Sequence, residues 1–90
     1  MVEDIAVVVA DTVAGGEVVR AARAAGGELL ESVDVFDRYV GDPIAAGSHS
    51  LALRLTFRAP DRTLTDTETA AVRGTIVEAL AAQFGAELRG

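Results

Sequence analysis

The clearest pattern in the sequence lies at Ser50–Arg58, which reads SLALRLTFR. Apolar and polar residues alternate there, and successive side chains of a β-strand point to opposite faces of the sheet. One face of this strand is therefore expected to enter the core, and the other to face solvent. The core side comprises Leu51, Leu53, Leu55 and Phe57, and the solvent side comprises Ser50, Ala52, Arg54, Thr56 and Arg58.

The residues before this strand predict two further strands and a helix. Asp4–Ala10 is rich in β-branched residues, and Leu29–Tyr39 alternates between apolar and polar residues. Ala14–Ala25 places its apolar residues at helical intervals and is followed by two glycines, which favour a helix end. Gly41–Ser48 contains two glycines and a proline, so we expect it to be a long hairpin loop.

The residues after it predict a second helix and a last strand. Thr65 and Glu68 have the spacing of a capping box, in which two residues satisfy each other's free amides. Gly85 favours a left-handed helix end, and Ala86–Arg89 is placed to return as a short strand. The helix between them has an apolar stripe at every fourth position: Val72, Ile76, Leu80 and Phe84.

The order strand, helix, strand, strand, helix, strand is typical of a ferredoxin-like βαββαβ split sandwich. This is an α+β fold with a four-stranded antiparallel sheet and two helices on one face. The helices are expected to cover the leucine side of the central strand, whereas the opposite side of the sheet stays open.

The composition predicts one small domain over residues 1–90 and excludes several kinds of site. Ninety residues suffice for one core. The absence of cysteine excludes disulfides and thiolate metal sites, and one histidine leaves no ligand set for a metal. The longest apolar run, Ile5–Ala10, is far shorter than the roughly 20 residues of a membrane span. We therefore expect a cytoplasmic chain with no membrane partner.

The sequence contains no convincing catalytic constellation, so we assign no catalytic residue. His49 lies between Ser48 and Ser50, and adjacent side chains on a strand point to opposite faces, which argues against a triad built from these residues. Gly15 and Gly16 are followed by no lysine and do not form a phosphate loop. The chain is therefore not expected to be an enzyme on its own.

The arginines are concentrated in the middle of the chain. Between Arg38 and Arg62, four arginines and two aspartates give a local charge of +2, whereas the whole chain carries −6. Phosphate neutralisation supplies most of the affinity of proteins for nucleic acids, so the charge of the whole chain argues against a free-standing nucleic-acid binder. The acidic total predicts weak RNA binding by the isolated domain.

Two aromatic residues, Phe36 and Tyr39, lie close to these arginines in the predicted sheet. If Val33 and Val35 face the helices, alternation places Phe36 on the open side. It also places Arg38 there, whereas Tyr39 reaches that side only if a β-bulge shifts the register. Aromatic residues among arginines on an open sheet bind single-stranded RNA by stacking bases and holding phosphates. An aromatic that merely covers the sheet edge is the alternative interpretation.

Four segments of the chain share the motifs of one known domain family. They are Ser32–Tyr39 (SVDVFDRY), Ser50–Arg58 (SLALRLTFR), Arg62–Asp66 (RTLTD) and Phe84–Arg89 (FGAELR). Together they resemble the ferredoxin-fold anticodon-binding domain at the C-terminus of the bacterial phenylalanyl-tRNA synthetase β subunit. The resemblance covers essentially the whole chain and implies that it is the C-terminal end of a much longer subunit.

The resemblance implies that the chain contacts the anticodon stem-loop of phenylalanine tRNA, while aminoacylation occurs elsewhere in the synthetase. In the family, an aromatic residue of the sheet stacks on the first anticodon base. Tyr39 is the first candidate for this role and Phe36 is the second. The expected RNA-binding residues are Tyr39, Phe36, Arg38, Arg54, Arg58, Arg62 and His49.

The resemblance also implies partners and cofactors. The chain would join the rest of the β subunit and the α subunit in an α2β2 synthetase, with ATP and magnesium in the catalytic part and no cofactor here. Family members usually have a basic pair where this sequence reads GSHS at Gly47–Ser50, so His49 is expected to keep part of that phosphate contact or none of it. A small-molecule-sensing or protein-interaction domain on the same fold is the alternative, and it would not need outward-facing arginines.

Overall fold

The protein is a four-stranded antiparallel sheet with two helices packed against it. The computed structural model describes residues 1–89, so Gly90, the last residue of the predicted 1–90 domain, lies outside the described residues. The sheet order is β2-β3-β1-β4. The elements are β1 (Val2–Ala10), α1 (Gly15–Gly26), β2 (Leu30–Tyr39), β3 (Ser48–Phe57), α2 (Asp66–Phe84) and β4 (Glu87–Leu88). The predicted ferredoxin-like fold is confirmed.

The hydrophobic core lies between the sheet and the helices. Leu53 and Leu55 are fully buried, and the register places Ile5 of β1 directly beside Leu53. Both helices add fully buried residues to the same cluster: Val18 and Ala22 from α1, and Ile76 and Leu80 from α2. The alternation in β3 thus predicted the core face correctly. Val72 and Phe84, predicted on the buried stripe of α2, are only partly buried and pack against the cluster from its margin.

The ends of α2 follow the predicted local chemistry. Glu68 donates its backbone N–H to Oγ1 of Thr65 at 3.2 Å, and Thr65 donates its own backbone N–H to the Glu68 carboxylate. At the other end Gly85 has φ 66°, a left-handed conformation, and its N–H donates to the carbonyl of Ala81. These caps fix the helix between the β3–α2 loop and β4. No helix among residues 1–89 is long and apolar enough to cross a membrane.

Candidate nucleic-acid interface

The sheet surface opposite the helices, called the open face below, includes three successive rows of side chains. Residues that are directly paired across antiparallel strands share a face of the sheet. From β2 through β3 to β1, the rows are Asp34–Arg54–Asp4, Asp37–Ala52–Ala6 and Tyr39–Ser50–Val8. The first row is charged throughout, whereas the second and third rows have mainly small residues on β3 and β1.

A β-bulge in β2 brings Tyr39 onto the open face. The pairing register shifts by one residue between Val35 and Asp37, which leaves Phe36 as the extra residue. Beyond the bulge, Tyr39 stands opposite Ser50. The condition that the sequence set for Tyr39 to reach this face is therefore met. The same shift places both Asp34 and Asp37 on the open face, because the extra residue lies between them.

The bulge also moves Arg38 away from the open face, so the placement of Arg38 by simple alternation was wrong. Arg38 pairs with Leu51, whose side chain lies in the core. An extra residue in a strand inverts the faces of all the residues that follow it. Nε of Arg38 donates to Nδ1 of His49 at 2.8 Å, on the helix side of the sheet.

His49 is buried within β3, where its ring makes structural contacts. Only 4% of the residue is accessible. Its Nε2 lies 3.0 Å from the carbonyl oxygen of Val13, and its Nδ1 accepts the hydrogen bond from Arg38. A neutral ring with its proton on Nε2 satisfies both contacts. His49 therefore ties β3 to the β1–α1 loop, and its ring is not available to a ligand on the open face.

Phe36 and Arg54 form the first aromatic–guanidinium pair on the open face. Cζ of Arg54 lies 4.5 Å from the centroid of the Phe36 ring, within the range of a cation–π contact. Phe36 is 48% exposed, so the pair is accessible to solvent. The structure thus places Phe36 beside Arg54, as alternation predicted.

Tyr39 and Arg89 form the second pair. The hydroxyl of Tyr39 donates to the backbone carbonyl of Asp42, and Cζ of Arg89 lies 5.2 Å from the centroid of the tyrosine ring. The backbone N–H of Arg89 donates to the carbonyl of Ala6, just beyond β4. Arg89 was missing from the predicted site residues. Its signal was its place at the end of the predicted last strand, which the sheet order brings beside β1.

Arg54 and Arg58 are paired with carboxylates. Arg54 donates through Nε and Nη2 to both oxygens of Asp4, at 3.0 and 3.1 Å. Arg58, the residue after β3, makes a single contact of 3.2 Å with Glu31 and has a side chain that is 71% exposed. The hydrogen bond from Arg54, reinforced by its charge, holds the pKa of Asp4 below its ordinary value. The hydrogen bond to Asp4 raises the pKa of Arg54 in turn.

Arg62 lies in the loop between β3 and α2 rather than in the rows of the open face. Its Nη1 is 2.5 Å from Oε2 of Glu68 in the first turn of the helix. The hydrogen bond from Arg62 is the main reason that the pKa of Glu68 is lowered, and the backbone N–H of Thr65 adds to the shift. Of the seven predicted residues, the structure therefore brings Tyr39, Phe36, Arg54 and Arg58 to one surface, and places Arg38, His49 and Arg62 elsewhere.

The fold and this surface define a small module whose open sheet presents aromatic rings and guanidinium groups, a combination suited to single-stranded nucleic acid. Residues 1–89 contain no group of three histidine, cysteine or carboxylate side chains that could hold a metal ion. The aromatic rings of the surface can stack on bases, and its guanidinium groups can donate hydrogen bonds.

Comparisons with known proteins agree with this class. The profile of the ferredoxin-fold anticodon binding domain matches residues 1–89. The phenylalanine–tRNA ligase β subunit of Vibrio cholerae is 49% identical over 86 residues, which cover 96% of this chain and 11% of that protein. The β subunits of Anaeromyxobacter dehalogenans and Nocardia farcinica are 49% and 47% identical over all 90 residues, again 11% of each relative.

The chain belongs to the ferredoxin-fold anticodon-binding domain family, and the resemblance inferred from its motifs is confirmed. It spans about a tenth of the length of the β subunits that it matches.

Proposed function

We propose that this chain is the anticodon-binding accessory domain of a phenylalanine–tRNA ligase β subunit and that its open face contacts the anticodon stem-loop of phenylalanine tRNA. Family membership and similarity to three such β subunits support the first part. The second part rests on the arrangement of the open face itself.

The observation that carries the proposal is the presence of two aromatic–guanidinium pairs on one surface. Phe36 with Arg54 and Tyr39 with Arg89 lie at different places on the open face, and small side chains such as Ala52 lie between their rows. Each aromatic ring offers a stacking surface to a base, and each guanidinium offers hydrogen bonds to a phosphate or base edge. A stretch of unpaired nucleotides fits such a surface better than a duplex does.

Arg58 is suited to hold a phosphate because its present contact is weak. A single contact between two largely exposed side chains contributes little free energy, since water competes for both groups. The contact with Glu31 can therefore be exchanged for a phosphate oxygen at small cost. The carboxylates around the face and the charge of −6 oppose RNA binding, so the domain would bind as one of several contacts in a larger enzyme.

The proposed role is recognition without catalysis. Aminoacylation, together with ATP and magnesium, would belong to the catalytic part of the ligase, and this domain would need no cofactor of its own. We place the domain in an α2β2 ligase with the rest of the β subunit and the α subunit, acting in the cytoplasm where tRNA is charged.

Binding of phenylalanine tRNA to the complete ligase tests the proposal with Tyr39→Ala, Arg58→Gln and Arg23→Gln. Loss of stacking in Tyr39→Ala should cost about 1–3 kcal/mol of binding free energy and leave the salt dependence unchanged. Arg58→Gln should reduce the salt slope by about one unit, as expected for one lost phosphate contact. Arg23 lies on the exposed side of α1 and serves as a control with the same change of charge.

The tRNA-independent activation of phenylalanine with ATP should remain normal in all three variants, because the open face would act on tRNA alone. If Tyr39→Ala and Arg58→Gln bound tRNA like the parent ligase, the open face would not be the RNA surface. A protein-interaction or small-molecule-sensing role on the same fold would then become the better explanation.

A further inference from the structure

The first row of the open face places one arginine between two aspartates. The register sets Arg54 opposite Asp4 on β1 and opposite Asp34 on β2. The two aspartates contact it differently. Asp4 receives two hydrogen bonds, from Nε and from Nη2. Asp34 acts on Arg54 through its charge alone, without a hydrogen bond among the described residues.

The bonds to Asp4 use only one edge of the guanidinium group. Asp4 accepts from the side-on edge, formed by Nε and Nη2, and both of its oxygens are engaged. The end-on edge, formed by Nη1 and Nη2, keeps one outward N–H on each nitrogen, and neither meets an acceptor within residues 1–89. The side chain of Arg54 is 48% exposed, so a ligand can reach this edge.

Phe36 restrains the same guanidinium group in the remaining direction. Its ring centroid lies 4.5 Å from Cζ of Arg54 and covers one face of the group. A carboxylate on one edge and a ring on one face together limit rotation of the side chain. An arginine loses considerable rotamer entropy when a ligand immobilises it. A guanidinium group that is already held loses less entropy on binding.

We propose that Asp4 is a positioning residue that holds Arg54 so that its end-on edge binds a pair of acceptor atoms of the RNA. Such a pair is presented by two oxygens of one phosphate or by O6 and N7 of a guanine. This inference rests on the proposed RNA-binding role of the open face. It assigns to an acidic residue a favourable effect on binding to a polyanion.

The geometry favours positioning over competition between Asp4 and the RNA. A carboxylate that competes with a phosphate would occupy the edge that the phosphate needs. Asp4 instead occupies the other edge, so Arg54 can hold Asp4 and a ligand together. The negative charge of Asp4 opposes RNA binding, and the two effects on affinity have opposite signs. Asp4→Asn removes the charge and keeps the size of the side chain, so its effect on affinity shows which of the two is larger.

The experiment measures binding of a phenylalanine tRNA transcript to the complete ligase carrying Asp4→Asn, Arg54→Gln or both, with Asp34→Asn as the matched control. Asp34→Asn removes the same charge from the same row but no hydrogen bond to Arg54, so binding should be unchanged or tighter. Asp4→Asn should weaken binding about fivefold, within the range of coupling between residues in direct contact. In the Arg54→Gln background, Asp4→Asn should cause no further loss.

Four outcomes of these binding measurements would overturn the inference. Tighter binding by Asp4→Asn would make Asp4 a simple counter-ion, and an equal loss with and without Arg54 would place its action elsewhere. A normal affinity of Arg54→Gln alongside weak binding by Tyr39→Ala would remove Arg54 from the interface but leave the proposed function intact. Normal binding by all the variants would overturn both. Asp4→Glu keeps the charge but shifts the carboxylate, so its affinity for tRNA should lie between those of the parent and Asp4→Asn. Because this variant retains the charge, its weaker binding cannot come from a fold disturbed by loss of charge.

The two sources of the acceptor pair are separated with synthetic anticodon hairpins offered to the same ligase. Replacing single guanines by 7-deazaguanine removes N7, and replacing single phosphates by methylphosphonate removes a charged oxygen. The modification at the Arg54 contact should weaken binding to the parent but not to Arg54→Gln. If every modification changed binding to the parent and to Arg54→Gln by the same factor, the end-on edge would have no RNA ligand. The inference would then fail.

Discussion

One inserted residue determines which side chains share a surface with the arginines. Without Phe36 as a bulge, strict alternation would turn Arg38 toward the open face and Tyr39 toward the helices. With it, Tyr39 joins the open face and Arg38 binds buried His49. The composition of the candidate interface therefore depends on one local irregularity of β2.

The burial of a single core residue determines how much stability is lost when a substitution leaves a cavity. Leu53 is completely buried in the middle of β3. Leu53→Ala should lower the free energy of unfolding by about 2–5 kcal/mol, because it removes buried methyl groups and leaves a void. Urea unfolding of the chain measures this loss. Leu88→Ala is the control, since Leu88 is 52% exposed and should change stability by less than about 1 kcal/mol. Equal effects of the two substitutions would contradict the assigned core.

Among the secondary-structure elements, α2 has the most completely specified ends. Thr65 caps the first turn, and Gly85 adopts the left-handed conformation that closes the last one. The connection from β3 to β4 runs through α2, so the position at which α2 ends determines where β4 can pair with β1. The short strand β4 in turn carries the chain to Arg89, whose guanidinium lies over Tyr39. The caps of a helix on one side of the sheet thus help to complete the surface on the other.

The cap can be tested by a conservative pair of substitutions. Thr65→Ala should lower the free energy of unfolding by about 1 kcal/mol, because the backbone N–H of Glu68 loses its acceptor. Thr67→Ala makes the same chemical change two residues further along the chain, at an exposed position, and should lower the stability less. Thermal unfolding of both variants measures the difference. Unchanged tRNA affinity in folded Thr65→Ala would show that Thr65 acts through the helix and not through RNA.

The elements show how far local patterns predict this structure. The alternation of Leu51, Leu53 and Leu55, and the cap at Thr65, are written in adjacent residues, so both could be predicted. The bulge at Phe36 could be named only as a condition, because a bulge depends on how two strands pair and leaves no fixed local pattern.

Several contacts between residues that are distant in the sequence could not be predicted. The hydrogen bonds between Arg54 and Asp4 depend on the register of β1 against β3. The burial of His49 depends on the fold of the β1–α1 loop, where Val13 supplies its partner. Arg89 acquires a role only once β4 is placed beside β1. The core face and the caps were therefore predictable, whereas these contacts of the interface were not.

Taken as a whole, the molecule is acidic and its exposed ion pairs are sensitive to pH. Arg62 lowers the pKa of Glu68 below its ordinary 4.5, and Arg54 lowers that of Asp4 below 3.8. A carboxylate whose pKa is lower in the folded state stabilises the fold above its unfolded pKa. That contribution is lost as the pH falls through the folded value.

Glu68→Gln tests this dependence. The variant should melt at a lower temperature than the parent near neutral pH, because it loses a charged partner of Arg62 and part of the cap. The difference should shrink as the pH falls below about 4.5, where the unfolded glutamate takes up its proton. Melting temperatures measured from about pH 7 to pH 3 show this trend. A constant difference across the range would mean that the ionised form of Glu68 does not contribute.

The sheet order has a consequence for how the chain acquires its structure. β1 is synthesised first but lies between β3 and β4, so its partners come from the middle and the far end of the sequence, as in the pairing of Val7 with Leu88. Closing such long loops is slow compared with forming helices or hairpins. On a ribosome, the β2–β3 hairpin can form while β1 still lacks its outer neighbour. Folding is therefore completed only when the last residues of the domain emerge, and the outer edge of β1 needs protection from other nascent chains until then.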